Sequence, residues 1–220
     1  MNVLVVAPHA DDEILGCGAT IAKYVARGDK VYICIATRPS EPIFKEELYH
    51  TIRAETIKAH KYLGIEKTFF LEFPAVMLEN VSRYELNNRI QQVIQKVEPD
   101  EVYIPHFGDM QKDHQMISEA TMVAVRPKSG HKVKKVFAYE TLSETEWNIP
   151  HCSNTFIPNV YHDISDYLDK KIEAMRMYRS QLSDFPNPRS LDAITSLAKY
   201  RGSTVLAEAA EAFMLIREIR

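Results

Sequence analysis

The chain has 220 residues, 45% of them hydrophobic and 26% charged, which excludes intrinsic disorder and leaves enough length for one domain with a sizeable core. A formal net charge of −3 offers no basic excess, so neither nucleic acid nor an acidic membrane surface is expected as a partner. Cys17, Cys34 and Cys152 form no disulfide framework and point to a reducing cytoplasm.

Taken in chain order, the opening residues Met1–Val6 read as a strand rather than a signal peptide, because no basic segment or small-residue cleavage site accompanies them. No apolar run approaches the roughly 18 residues of a membrane span. Short runs rich in β-branched or aromatic residues predict strands at Val3–Ala7, Lys30–Ala36, Thr68–Phe73, Glu101–Ile104 and Val133–Tyr139. Segments of helical period lie between them at Ile14–Ala26, Glu46–Leu63, Tyr84–Val97 and His114–Val125. This alternation predicts an α/β fold: a three-layer, Rossmann-like domain with a mainly parallel sheet. Beyond Tyr139 the alternation stops. A loop over 140–158, a short Asn159–Asp163 segment and three C-terminal helices are expected, at Ser165–Gln181, Leu191–Tyr200 and Thr204–Glu218. With no repeat or linker, residues 1–220 are expected to form a single domain.

In open parallel sheets ligands bind beyond the carboxyl ends of the strands. Two such ends carry dense chemistry: Pro8-His9-Ala10-Asp11-Asp12-Glu13 after the first strand, and Pro105-His106 through Asp113-His114 after the fourth. Catalytic zinc commonly takes three protein ligands from His, Asp and Glu and keeps a fourth position open. His9, Asp12 and His114 supply such a set, while Asp11 stays free as a base. Zinc-bound water has a pKa near 7, so a carboxylate in reach can take its proton as hydroxide attacks a carbonyl.

These motifs resemble the PIG-L/LmbE-like N-acetylglucosaminyl deacetylases, a family whose members include deacetylases of mycothiol, bacillithiol and GPI-anchor precursor synthesis. The likeness is carried by VLVVAPHADDEILGCGAT at the start and by Gln111-Lys112-Asp113-His114. Fainter matches run through Arg53 and Glu55, YETLSETEW at 139–147, FIPNVYHDIS at 156–165, Tyr178–Gln181 and Ala210–Phe213. The resemblance implies Zn²⁺ on His9, Asp12 and His114, or another divalent metal, since the same donors suit iron, cobalt or manganese. It further implies Asp11 as general base, Asp113 as the partner that orients an imidazole, and Arg53 as a substrate contact. The implied reaction releases acetate and a free amine from an N-acetylglucosamine-like glycoside, a small amino-sugar substrate. Relatives are often oligomeric, so a homo-oligomer is expected.

One departure matters. Relatives commonly carry histidine where this chain has Gln111. Its amide can donate to an oxyanion but cannot act as an acid near neutral pH, so the amine's proton is expected from Asp11 or His106. The departure also leaves open a metal-binding homologue without turnover. Gly16 and Gly18 raise a nucleotide-binding alternative, but the position three after Gly18 is Ile21, and close helix packing is the simpler reading. His50, His60 and His131 read as solvated surface residues, and Cys17 and Cys34 as core. His151, His162 and Trp147 are candidates for substrate contact, and 140–150 for a lid or a packed connection.

Overall fold

A computed structural model describes residues 1–127 and 132–220, so His131 lies outside the described residues. Among the described residues, seven strands form one sheet: β1 (Asn2–Ala7), β2 (Lys30–Arg38), β3 (Lys67–Pro74), β4 (Glu101–Pro105), β5 (Lys135–Tyr139), β6 (Val160–Asp163) and β7 (Ala210–Glu218), in the order β3-β2-β1-β4-β5-β7-β6. The first five pair in parallel, and β7 runs antiparallel between β5 and β6. Helices cover both faces, giving the expected three-layer α/β architecture: α1 (Asp12–Ala26), α2 (Glu46–Leu63), α5 (Leu168–Arg176) and α6 (Leu191–Ser203) on one, α3 (Arg83–Val97) and α4 (Lys112–Ala124) on the other.

Each central strand alternates between two apolar cores because successive side chains point to opposite faces. In β1, Val3, Val5 and Ala7 join the α1/α2/α5 core, while Leu4 and Val6 join the α3/α4 core. Local chemistry fixes the helix ends. Ser82 caps α3 by accepting from the Glu85 N–H at 3.1 Å, and Gly64 ends α2 in the left-handed region at φ 76°.

Two expectations are corrected here. The helix expected over 204–218 is instead strand β7, and the one expected over 165–181 shortens to α5. Ala, Glu, Met and Leu favour a helix in isolation, but Phe213 and Leu215 pack into one core while Met214 and Ile216 pack into the other. That two-residue alternation is satisfied only by a strand covered on both faces, and tertiary pairing with β5 and β6 overrides the local propensity. Gly16 does permit close packing, because a Cβ there would collide with the Tyr139 ring of β5.

The buried Glu211 of β7 also ties the layers together. Its carboxylate accepts from the Ala19 and Thr20 N–H groups of α1 at 3.1 and 2.7 Å and pairs with Lys171 of α5 at 2.7 Å. Among the described residues, no helix is long and apolar enough to cross a membrane.

Candidate metal centre and active-site cavity

The strand order reverses at β1, which pairs with β2 on one side and β4 on the other. Connections leaving β1 and β4 therefore diverge to opposite faces, and the gap between them is where a ligand fits. Residues 8–11 span that edge between β1 and α1. Asp11 sits there at φ 127°, a strained conformation for a residue with a Cβ. Its N–H donates to Glu13 Oε2 at 3.0 Å, and Glu13 Oε1 accepts from the Tyr178 hydroxyl at 2.7 Å. His60 Nε2 lies 3.0 Å from the same Glu13 oxygen, and its Nδ1 lies 2.7 Å from Thr68 Oγ1. His60 is thus buried, contrary to the surface position expected for it, because it shares the inner face of α2 with Ile52, Thr56, Ala59 and Leu63. His50 is exposed, and Cys17 and Cys34 are buried, as expected.

The second motif opens α4. His114 is fully buried, with Nδ1 2.8 Å from Asp109 Oδ2 and Nε2 3.3 Å from Asp12 Oδ2. His9 is arranged the same way: Nε2 lies 2.9 Å from Asp113 Oδ2, and Nδ1 lies 3.3 Å from Asp12 Oδ2. Each imidazole thus has a carboxylate on one nitrogen and turns the other toward a single oxygen of Asp12. Carboxylate-oriented histidine is the usual supporting arrangement of a metal ligand. One donor atom from each of His9, Asp12 and His114 lies within 4.8 Å of the others. His114 Nε2 and Asp12 Oδ1 are buried with no hydrogen-bond partner. Such atoms are costly unless something satisfies them, and a divalent cation fits the donor set.

Electrostatics follow from this crowding. Burial disfavours the His9 imidazolium, yet hydrogen bonds to Asp113 and Asp12 prevail and raise its pKa to about 9. Burial likewise opposes charge on His114, but Asp12 and Asp109 lift it to about 10. Burial also opposes charge on Asp12, which the two imidazoles nevertheless hold well below the usual carboxylate range. For Asp11, burial wins over the Arg189 guanidinium and raises the carboxyl to about 8.

A cavity of about 290 Å³ opens beside these groups, lined by His9, Asp11, Gln111, Glu144 and Arg189 at one end. Its other walls are Ile35, Phe44, Leu48, Tyr49, Ile52, Arg53, Phe70 and Val76. Arg53 Nη2 donates to the Tyr49 hydroxyl at 3.0 Å and pairs with Glu72, while its guanidinium carbon lies 3.4 Å from the Phe70 ring centroid. Asp113 Oδ2 also accepts the Val76 N–H at 2.6 Å, coupling the second motif to the cavity wall.

Three functional positions escaped the sequence reading. Arg189, from the loop before α6, pairs with Asp11, stands 3.9 Å from Asp12 Oδ1 and 3.8 Å from Glu144 Oε1, and donates through Nε to Ser143 Oγ at 2.8 Å. No local motif marks an arginine that arrives from 178 residues away. Asp109 and Glu144 did lie inside noted motifs. Thr145 Oγ1 donates to Asp109 Oδ1 at 2.6 Å, and the Met110 N–H donates to the Glu144 carbonyl at 3.0 Å. Within the segment 140–150, Thr141, Ser143 and Glu144 are buried and pack toward the site, while Trp147 and Ile149 are exposed.

Other expected contacts lie elsewhere. His106 is buried with Nε2 3.0 Å from the Asn154 carbonyl, flanked by Phe107 and Phe156, and is not part of the cavity lining. Trp147 and His151 are exposed and away from this cavity, and His162 lines a different one at the other end of the sheet.

A family model described as PIG-L, GlcNAc-PI de-N-acetylase, matches residues 4–125. The chain belongs to the PIG-L family. It is 26% identical over 194 residues to a Bacillus anthracis protein named probable N-acetyl-alpha-D-glucosaminyl L-malate deacetylase 2, covering 83% of this chain and 82% of that one. Among solved structures, the conserved protein TT1542 from Thermus thermophilus superposes with a TM-score of 0.81 at 27% identity, covering 99% of this chain and 96% of that one. The Pseudomonas putida enzyme GalB, a 4-carboxy-2-hydroxymuconate hydratase, shares the fold at a TM-score of 0.76 and 20% identity over 100% of this chain and 97% of its own. One fold thus carries more than one reaction, and the function must be argued from the site.

Proposed function

We propose that this PIG-L family member is a zinc-dependent hydrolase that removes the N-acetyl group from an N-acetylglucosamine-like glycoside, yielding acetate and a free amine. The carrying observation is the pair of carboxylate-braced imidazoles, His9 and His114, that meet at one oxygen of Asp12 beside an open cavity. The family description and the named Bacillus relative support an N-acetylglucosamine derivative as the substrate class. His9, Asp12 and His114 would hold the Zn²⁺, which would supply Lewis acidity to a carbonyl and to water.

The chain's own groups do the rest. Asp11 accepts the proton of the attacking water, and burial has already raised its proton affinity toward the range suited to a general base. Arg189 holds that carboxylate in place. The Gln111 amide, in the cavity wall, donates to the acyl oxygen as negative charge grows there. Asp113 and Asp109 fix the tautomers and ring planes of His9 and His114. Arg53, stacked on Phe70, offers donors to a sugar hydroxyl or anionic substituent, and the apolar wall excludes water from the aglycone.

Acetate release from a panel of N-acetylglucosamine glycosides, with metal content measured on the same samples, tests this reading. Asp11→Asn should keep zinc and lose about 10²–10⁴ in kcat, the usual contribution of a positioned general base. His114→Ala should lose both zinc and turnover. Full turnover in the Asp11 variant, or undiminished zinc in the His114 variant, overturns the assignment.

A further inference from the structure

The deacetylase reading leaves the amine's proton donor to be found. Gln111 has no acidic proton, His106 lies outside the cavity lining with its Nε2 on the Asn154 carbonyl, and Asp11 is already assigned as the base that takes the proton of water. One acidic group in the cavity is still unassigned. Glu144 is 4% exposed, lines the same end as Asp11 and Gln111, and has a buried Oε2 with no hydrogen-bond partner. Its nearest ionic neighbour is Arg189 Nη2, 3.8 Å from Oε1, too far for a hydrogen bond to hold the carboxylate charged.

Its position is well determined. The Glu144 carbonyl accepts the Met110 N–H, and the preceding residue, Ser143, sits at φ 73° and accepts from Arg189 Nε. A non-glycine residue at positive φ persists only where surroundings over-determine it. Buried polar atoms without partners include Asp11 Oδ1 and Glu144 Oε2, of residues that line the cavity, and Asp12 Oδ1 and His114 Nε2, of the donor set that includes the cavity-lining His9. Three have roles in the reaction already described.

We propose that Glu144 is the catalytic acid, delivering its carboxyl proton to the departing amine nitrogen. The assignment rests on the deacetylase reading. When the carbon–nitrogen bond breaks, its electron pair stays on nitrogen and takes the Glu144 proton. The water oxygen is by then bonded to the acyl carbon and has given one proton to Asp11. That proton returns to Glu144 through cavity water, so both carboxyl groups end the turnover as they began, and the released acetic acid ionises. Burial favours the neutral carboxyl of Glu144. The charged groups facing it are His114 from α4, Asp12 at the start of α1, Arg189 from the loop before α6 and His9 after β1, and they oppose one another in sign.

Glu144→Gln preserves shape and removes only the proton. It should lose about 10²–10⁴ in kcat on N-acetylglucosamine glycosides. Zinc content should not change. Hydrolysis of p-nitrophenyl acetate, whose phenolate leaves without a proton, should stay close to wild type. The alkaline fall in kcat/KM on the glycoside, which marks loss of the acid's proton, should vanish in the variant. Unchanged glycoside turnover, loss of zinc, an equal fall on glycoside and aryl ester, or an alkaline limb preserved in the variant each overturn the assignment of Glu144 alone. A wild-type enzyme that retains zinc but releases acetate from no N-acetyl sugar overturns the deacetylase reading, and this assignment with it.

Discussion

A polar cluster at one end of the sheet and the candidate site at the other differ in how completely their groups are hydrogen-bonded. At the end near the first residues of β1, Tyr24 donates to Glu101 Oε2 at 2.6 Å and lies 2.7 Å from the Tyr103 hydroxyl, Lys135 donates to Glu101 Oε1 at 3.2 Å, and Thr20 lies 3.3 Å from His162. Each of these groups has a partner. At the other end, Asp11, Asp12, His114 and Glu144 each keep a buried atom without one. A closed network stabilises and specifies the fold; an open one is tolerated where a ligand completes it. Between these two clusters the difference lies in saturation of hydrogen bonding.

Substitutions at each end sharpen or break that comparison. At the open end, Gln111→Ala should lower kcat by about 10²–10³ with zinc retained, the usual effect of removing one oxyanion donor. A wild-type rate would remove Gln111 from the reaction. A smaller effect is expected one step back from the metal. Asp109→Asn keeps the contact to His114 but not its charge, and zinc affinity, read by chelator competition, should fall about 10–100-fold. Unaltered affinity would show that the bracing carboxylate is dispensable. At the closed end, Tyr24→Phe should leave kcat and KM untouched. Denaturant unfolding should show a loss of about 1–3 kcal/mol, because Glu101 and Tyr103 lose a buried partner. A fall in turnover without a fall in stability would mean that this end takes part in function after all.

Much of the site was legible because catalytic chemistry is locally dense. His9, Asp11 and Asp12 fall within four consecutive positions, and Gln111, Asp113 and His114 within four more, each group following an apolar strand that announces where its side chains emerge. Period alone placed β1 to β5 and α1 to α4 within a few residues. His60 was misread for the converse reason. Its neighbours in sequence are polar, but helical spacing puts it on the buried face of α2, where Glu13 satisfies it.

Composition and local order by themselves determined the layered fold, the two segments that carry the candidate ligand set, and the family resemblance. These depend on period and on neighbours in the chain. Tertiary structure alone decided that 210–218 is a strand, that Arg189 meets Asp11, that Asp109 braces His114, and that His106 turns away while Glu144 faces the cavity. The physical reason is common to all of them. Whether a strand forms inside a two-sided core, and which carboxylate is left without a partner, depends on groups contributed by distant segments, and the free energy of burying them is set only when those segments meet.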